Sequence, residues 1–149
     1  MKSILLSISA LMISVAGVAA ADDPVAVRKA LMQASAASAA ASGGMMKGEI
    51  AYNPAVAKAA IATLNAVSHA YGDFFPEGTG GEDTSASPKI WEDGDAWQQA
   101  LSKFQTDTQA AVEAAGKDGP ADLAAFQAAI GPVLSNCRSC HETFRLQTN

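Results

Sequence analysis

Apolar side chains recur at intervals of three and four residues in four separate segments of the chain. This spacing puts them on one face of an α-helix, and no segment shows the alternation typical of a strand. The second, third and fourth segments have clear stripes: Val56, Ala60, Leu64, Val67 and Tyr71; Trp97, Leu101, Phe104, Thr108 and Val112; and Leu123, Phe126, Ile130, Leu134, Cys137, His141 and Phe144. The first segment has a weaker stripe within an Ala- and Ser-rich run: Val25, Arg28, Met32, Ala36 and Ala39. The pattern predicts an all-α fold with four helices.

Prolines mark the four places where we expect a helix to begin. Pro24, Pro54, Pro88 and Pro120 each follow an Asp, Asn or Ser within two residues. Proline suits the first helical position because the N–H that it lacks would be unpaired there, and the preceding polar side chain caps the helix.

The connections between these segments indicate how the helices are arranged. Residues 48–53 and 116–119 form short turns, and residues 72–87 form the one long loop. Short connections place consecutive helices side by side in opposite directions, so the sequence predicts an antiparallel up-and-down four-helix bundle. The pair Gly131-Pro132 predicts a tolerated kink within the fourth helix.

The N-terminal residues have the order of a secretory signal peptide. Lys2 precedes an apolar run that ends at Val15, and small residues follow it. We expect residues 1–20 to be a signal peptide that is cleaved after Ala20, with cleavage after Ala21 as the alternative. A membrane anchor is the other interpretation, but the apolar run is short for a bilayer span. The remaining residues, 21–149, are enough for one domain with one core.

The charge of the chain limits the classes of partner. The 149 residues carry a formal charge of −5, which becomes one unit more negative when Lys2 is removed with the signal peptide. An acidic exported domain without basic clusters is a poor ligand for nucleic acid or anionic lipid. No later segment is long and apolar enough to span a membrane.

Both cysteines of the chain lie in the sequence SNCRSCHETFR, residues 135–145. Cys137, Cys140 and His141 stand at positions i, i+3 and i+4 late in the fourth predicted helix, so they project from one face. The spacing Cys-x-x-Cys-His is the signature of a c-type haem that is attached through two thioether bonds, with the imidazole as the proximal ligand of the iron. The sequence therefore predicts one covalently attached haem c.

Three other uses of this cysteine pair fit less well. A thioredoxin-like pair follows a strand at a helix N-terminus, and no strand is predicted here. A zinc site would need a fourth ligand, and the only other histidine is His69, at the end of the second helix. A disulfide between residues this close in a helix would be strained.

With these features together, the chain resembles the cytochrome c prime family, whose members are exported four-helix bundles with a haem fixed near the C-terminus. The resemblance covers essentially all of residues 21–149. It rests on the late CRSCHETFR motif, on KGEIAYN at residues 47–53 between the first two helices, and on SPKIWED at residues 87–93.

The resemblance implies roles for three further residues. Arg28 matches the arginine that pairs with a haem propionate, and Arg145 lies one helical turn after His141, near the proximal side of the haem. Met32 falls at the distal position, one turn after Arg28. Members of the family also form dimers, so a homodimer is an alternative to a monomer.

Two functions follow from the two branches of this family. In the low-spin branch a distal methionine binds the iron, so the first hypothesis is a periplasmic electron carrier with His141 and Met32 as axial ligands and other redox proteins as partners. In the high-spin branch the distal residue does not bind, so the second hypothesis is a protein that binds nitric oxide or carbon monoxide. No distal acid–base residue is evident, so we do not expect an enzyme.

Helix geometry favours Met32 over the other methionines near the first helix. In an antiparallel bundle Met32 is level with the end of the fourth helix, which carries His141. Met45 lies roughly 20 Å further along at 1.5 Å per residue, and Met46 lies further still. We expect the Gly43-Gly44 pair to loosen both, and we expect His69 to be a surface residue that does not bind the iron.

Overall fold

The computed structural model describes residues 23–81 and 83–146. The predicted signal peptide, residues 1–20, lies outside the described residues. The described residues form four long helices: α1 (Pro24–Lys47), α2 (Pro54–Ala70), α4 (Gly94–Ala115) and α5 (Leu123–Phe144). A 3-10 turn (Tyr71–Phe74) and a short helix α3 (Lys89–Glu92) lie between α2 and α4. No strand occurs within these ranges. The predicted all-α four-helix bundle is confirmed.

The first two helices begin where their prolines predict. Pro24 and Pro54 are the first residues of α1 and α2. Asp23 Oδ1 accepts a hydrogen bond from the backbone N–H of Val25 at 2.9 Å, and Asn53 Oδ1 accepts from two backbone N–H groups of α2. These side chains satisfy donors that the first turn of a helix leaves unpaired.

The prediction that Pro88 and Pro120 begin the third and fourth long helices is wrong. Pro88 precedes only the four-residue helix α3, and the long helix α4 begins at Gly94 with Asp93 as its cap. The helix α5 begins at Leu123, and Asp122 caps it by accepting from Ala125 N–H at 2.8 Å. In both cases the aspartate whose oxygen reaches a free N–H sets the start of the helix, and the proline remains in the preceding connection.

The turn between α1 and α2 depends on two glycines. Gly48 ends α1 with φ +75°, a left-handed conformation that other residues adopt at a cost. A Cβ at Gly44 would lie 2.6 Å from Ile50 Cδ1, so a larger residue there would require the half-exposed Ile50 side chain to shift. Met45 is only 1% exposed. The expectation that the Gly43-Gly44 pair loosens this region is therefore wrong.

The core consists of two clusters, one toward each end of the bundle. The first surrounds Phe126 and comprises Met45, Ala57, Ile61, Leu64, Ala111, Ala115, Phe126, Ile130 and Val133. The second is smaller and contains Ile90, Trp97, Leu101 and Phe144. Val56, which we expected on the buried face of α2, is 42% exposed, because Ala57 takes its place on that face beside the correctly predicted Ala60.

The end of α5 is tied to the long loop before α3. Ala86 and Arg145 form an isolated antiparallel bridge. The backbone N–H of Ser87 donates to the Phe144 carbonyl at 2.9 Å, and that of Leu146 donates to the Ser85 carbonyl at 2.8 Å. The loop is thereby held beside the helix that carries the cysteines. Within the described ranges, no helix has the length and apolar character that a membrane span requires.

Candidate haem site

A cavity of about 510 Å³ opens between α1 and α5 at the end of the bundle where α5 finishes. All six residues that the sequence singles out lie in its wall: Arg28, Met32, Cys137, Cys140, His141 and Arg145. The start of α1 and the end of α5 therefore meet at one site, as the antiparallel arrangement predicts.

Beyond Gln33, the part of the cavity wall that α1 contributes consists of small side chains. Ser35, Ala36 and Ala39 follow Met32 along the helix and line the same cavity. Small side chains leave room between two helices that would otherwise pack in direct contact. Met45 and Met46 instead belong to the cluster around Phe126, toward the other end of α1. Met32 is the methionine of this helix that lines the cavity.

Four aromatic side chains, Tyr71, Phe75, Trp97 and Phe144, form another part of the cavity wall. The ring of Trp97 lies edge-to-face against Phe75, with centroids 4.8 Å apart, and against Phe144, with centroids 5.2 Å apart. Tyr71 contacts Phe75 in the same way at 5.0 Å. Burial, with a smaller contribution from Cys140, raises the pKa of Tyr71 to about 12, so its hydroxyl stays protonated at neutral pH. This part of the wall is largely apolar.

The two thiols do not have the low pKa of a redox-active cysteine pair. Burial raises the pKa of Cys137, and burial together with Cys137 raises the pKa of Cys140 to about 11. Reactive cysteine pairs have a depressed pKa, because the thiolate is the nucleophile. The burial of these thiols in the cavity wall therefore weighs against a thioredoxin-like function.

His141 lines the cavity next to Cys140 and keeps contact with solvent. Burial, and secondarily the positive charge of Arg145, lowers the pKa of the imidazole. The ring is therefore neutral at neutral pH, which is the form that binds a metal. His69 is exposed at the end of α2 and is not among the residues that line this cavity.

The guanidinium of Arg28 is buried where the long loop covers the cavity. Its Nη1 donates to the Phe74 carbonyl at 3.1 Å and to Thr79 Oγ1 at 2.9 Å, and its Nη2 donates to the Thr79 carbonyl at 2.7 Å. Burial lowers the pKa of this side chain. Among the described residues, Arg28 Nε is the one buried side-chain polar atom without a hydrogen-bond partner.

The charges around the cavity fit the propionate groups of a haem. Arg28, Lys29 and Arg145 line it, whereas its wall contains no aspartate or glutamate from the part of the chain that the structure describes. A buried cation needs a counter-charge, and the unpaired Nε of Arg28 needs an acceptor. A carboxylate from a bound haem would satisfy both requirements.

A zinc site is not supported. Within residues 23–81 and 83–146, no group of three or more His, Cys, Asp or Glu side chains converges to hold a metal ion. Cys137, Cys140 and His141 share a face of α5, but the described residues that line the cavity include no further cysteine, histidine or carboxylate as the fourth ligand that a structural zinc site requires.

Sequence reasoning missed several residues of the site. Asn136 lines the cavity one residue before Cys137, and its position four residues before Cys140 and eight before Phe144 could have revealed it. Thr79 and Thr84 lie in a loop, where no periodicity marks the residues that face inward.

Comparisons with known proteins agree with this geometry. A family model described as cytochrome c' matches residues 23–145. The cytochrome c' of Rhodopseudomonas palustris is 34% identical over 147 residues, which cover 97% of this chain and 97% of that protein. A cytochrome c-556 of Agrobacterium fabrum is 32% identical over 134 residues, 89% of this chain and 87% of that one. A solved structure of the Rhodopseudomonas palustris cytochrome c' superposes with a TM-score of 0.75 at 34% identity, and covers 85% of this chain and 98% of that chain.

Proposed function

Because the chain belongs to the cytochrome c' family, we propose that it is an exported electron carrier with a six-coordinate, low-spin haem whose axial ligands are His141 and Met32. The observation that carries this proposal is the position of Met32. It lines, from α1, the same cavity that His141 lines from α5. A thioether sulfur is a known axial ligand of haem iron in cytochromes c.

The cofactor is one covalently attached haem c. Cys137 and Cys140 would hold it through thioether bonds, and Arg28 would pair with a propionate. When bound, the haem supplies a one-electron change of the iron. The chain would contribute the imidazole of His141, the thioether of Met32, apolar walls, and a buried cation that would favour the reduced, less positive iron.

An electron carrier benefits from an iron that is closed on both faces. With two protein ligands, the iron changes little in geometry between its oxidation states and leaves no open position for a small molecule. Among the described residues that line the cavity there is no aspartate, no glutamate and no histidine besides His141 to serve as a distal acid or base, so we propose a carrier rather than an enzyme.

We place this protein in the periplasm, as the mature domain 21–149 after removal of residues 1–20. Its partners would be other redox proteins, whereas its acidic composition argues against nucleic acid. The small-residue face of α1 leaves a homodimer as an alternative to a monomer.

The second candidate function is a five-coordinate, high-spin haem protein that binds nitric oxide or carbon monoxide. The Rhodopseudomonas palustris relative, which shares the fold and a third of the sequence, carries the name cytochrome c'. Methionine is also flexible enough to fill a gap over the iron without binding it.

Substitution of Met32 distinguishes the two functions. Met32→Leu should convert a low-spin spectrum to a five-coordinate high-spin one, and the variant should bind carbon monoxide readily. Met45→Leu is the matched control, because Met45 lies in the core cluster around Phe126 and leucine has nearly the same volume. Its spectrum should match that of the wild type. If Met32→Leu stays low-spin, or the wild type is already high-spin, the electron-carrier proposal fails.

A further inference from the structure

Arg28 is held entirely by neutral groups of the segment between Phe74 and Thr84. Besides its bonds to Phe74 and Thr79, Nη2 donates to Thr84 Oγ1 at 3.4 Å. The guanidinium carbon lies 4.6 Å from the centroid of the Phe75 ring. A side chain on α1 is thus fixed by a loop that is 46 to 56 residues away in the sequence.

These contacts determine which N–H of the guanidinium remains available. The group has five N–H donors in a rigid planar fork. Four hydrogen bonds from Nη1 and Nη2 reach the loop, and the buried Nε has no partner in the described part of the chain. Since the fork is planar, fixing its two outer nitrogens also fixes the direction of the Nε–H bond.

Thr79 has the closest contacts in this arrangement. Its carbonyl and its hydroxyl oxygen accept from Arg28 at 2.7 and 2.9 Å. Its own hydroxyl proton is donated to the Pro76 carbonyl at 2.7 Å. Because that proton is committed to Pro76, the hydroxyl acts only as an acceptor toward Arg28. The Thr84 contact is longer, so Thr84 contributes less.

We propose that Thr79, assisted by Thr84, is a positioning residue that orients Arg28 so that its Nε–H meets a haem propionate, and that the loop thereby helps to set the reduction potential. This inference rests on the proposed haem function of the cavity. Arg28 itself would contact the cofactor, and Thr79 would act through Arg28.

The test is the reduction potential of the haem-loaded protein, measured by protein-film voltammetry. Arg28→Gln should lower the potential, because a cation near a propionate favours the reduced iron. Thr79→Val removes only the hydroxyl contact and should lower the potential by a part of that shift. Thr79→Ser keeps an oxygen at the same position and should restore the wild-type potential. Thr84→Val provides a second variant and should produce a smaller decrease.

A double-mutant cycle separates positioning from general loosening of the loop. If Thr79 acts through Arg28, Thr79→Val should have no further effect on the potential in the Arg28→Gln background. If it acts by loosening the loop, its full effect persists there and the proposal is overturned. Thr106→Val, which removes an exposed hydroxyl from α4, is the matched control and should leave the potential unchanged. An unchanged potential in Thr79→Val would also overturn the proposal.

The spin state distinguishes this inference from the proposed function. The optical spectrum reports the ligation by Met32, whereas the cycle reports the coupling between Thr79 and Arg28. A high-spin wild type with an intact coupling would refute the electron carrier and keep the positioning role. A low-spin wild type without coupling would support the electron carrier and refute the positioning role of Thr79.

Discussion

Replacement of Asp107 tests the side-chain network that anchors the haem-bearing helix next to Cys137. Asp107 Oδ2 on α4 accepts hydrogen bonds from Lys103 Nζ at 2.6 Å and from Asn136 Nδ2 on α5 at 2.7 Å. Asn136 is 6% exposed, and its Nδ2 also donates to the Pro132 carbonyl at 3.2 Å. The network therefore connects α4 to the residue directly before the first cysteine.

The two contacts of Asp107 differ in strength. The Lys103 side chain is 63% exposed, so this pair within one helix contributes only about 0.3–0.5 kcal/mol. A hydrogen bond from a buried donor to a charged acceptor contributes about 1.5–3 kcal/mol. Asp107→Ala should then lower the free energy of unfolding by about 2–3 kcal/mol. Asp107→Asn keeps an oxygen that accepts from Asn136 and should cost about 1 kcal/mol.

The difference between wild type and Asp107→Asn should depend on pH. The hydrogen bonds from Lys103 and Asn136 hold the pKa of Asp107 below its ordinary value of 3.8. The stabilisation is therefore full above pH 3.8 and is lost as the pH falls below that value through the pKa of the folded state. Denaturant unfolding of the haem-loaded proteins, followed by circular dichroism at neutral pH and below pH 3.8, measures this change.

Glu113 offers a matched control in the same helix. It is exposed and accepts a hydrogen bond from Gln109, four residues earlier, at 3.0 Å. Glu113→Ala should cost less than about 0.5 kcal/mol. The reasoning is refuted if Asp107→Ala is no more destabilising than Glu113→Ala. It is also refuted if the deficit of Asp107→Asn is the same on both sides of pH 3.8.

Two further substitutions probe the interior and the rival ligand. Thr108→Val should cost about 1–2 kcal/mol in thermal unfolding, because the buried Thr108 hydroxyl contacts Ser68 at 2.9 Å and Asn65 at 3.3 Å across α2 and α4. Thr106→Val removes a hydroxyl that bonds only within α4 and should cost less than about 0.5 kcal/mol. Equal costs for the two variants would contradict the interhelical role of the Thr108 hydroxyl. His69→Ala should leave the visible spectrum unchanged, since His69 is exposed; conversion to high spin would assign it to the iron instead.

The sequence predicts the bundle well because helical periodicity and caps act over short distances. The stripe of α5 correctly brings Cys137 and His141 to one face, and the register of α1 correctly brings Met32 to the same cavity. The starts of α4 and α5 are mistaken because proline is a permissive signal. Asp93 and Asp122, whose oxygens bond to free N–H groups, are the stronger signal and were present in the sequence.

The environment of Arg28 could not be predicted in the same way. Its partners come from an irregular loop, and no sequence pattern relates them to α1 across 46 or more residues. The resemblance to a family predicts a propionate partner for Arg28. It does not predict that Thr79 holds two of the three nitrogens of its guanidinium. Such contacts depend on how the whole loop folds over the cavity.

The optical spectrum of the oxidised, haem-loaded protein tests the central claim most directly. If Met32 binds the iron opposite His141, the spectrum is low-spin and includes the far-red band that arises from charge transfer between sulfur and iron. A high-spin spectrum without that band would contradict the electron-carrier account and would favour a protein that binds nitric oxide or carbon monoxide.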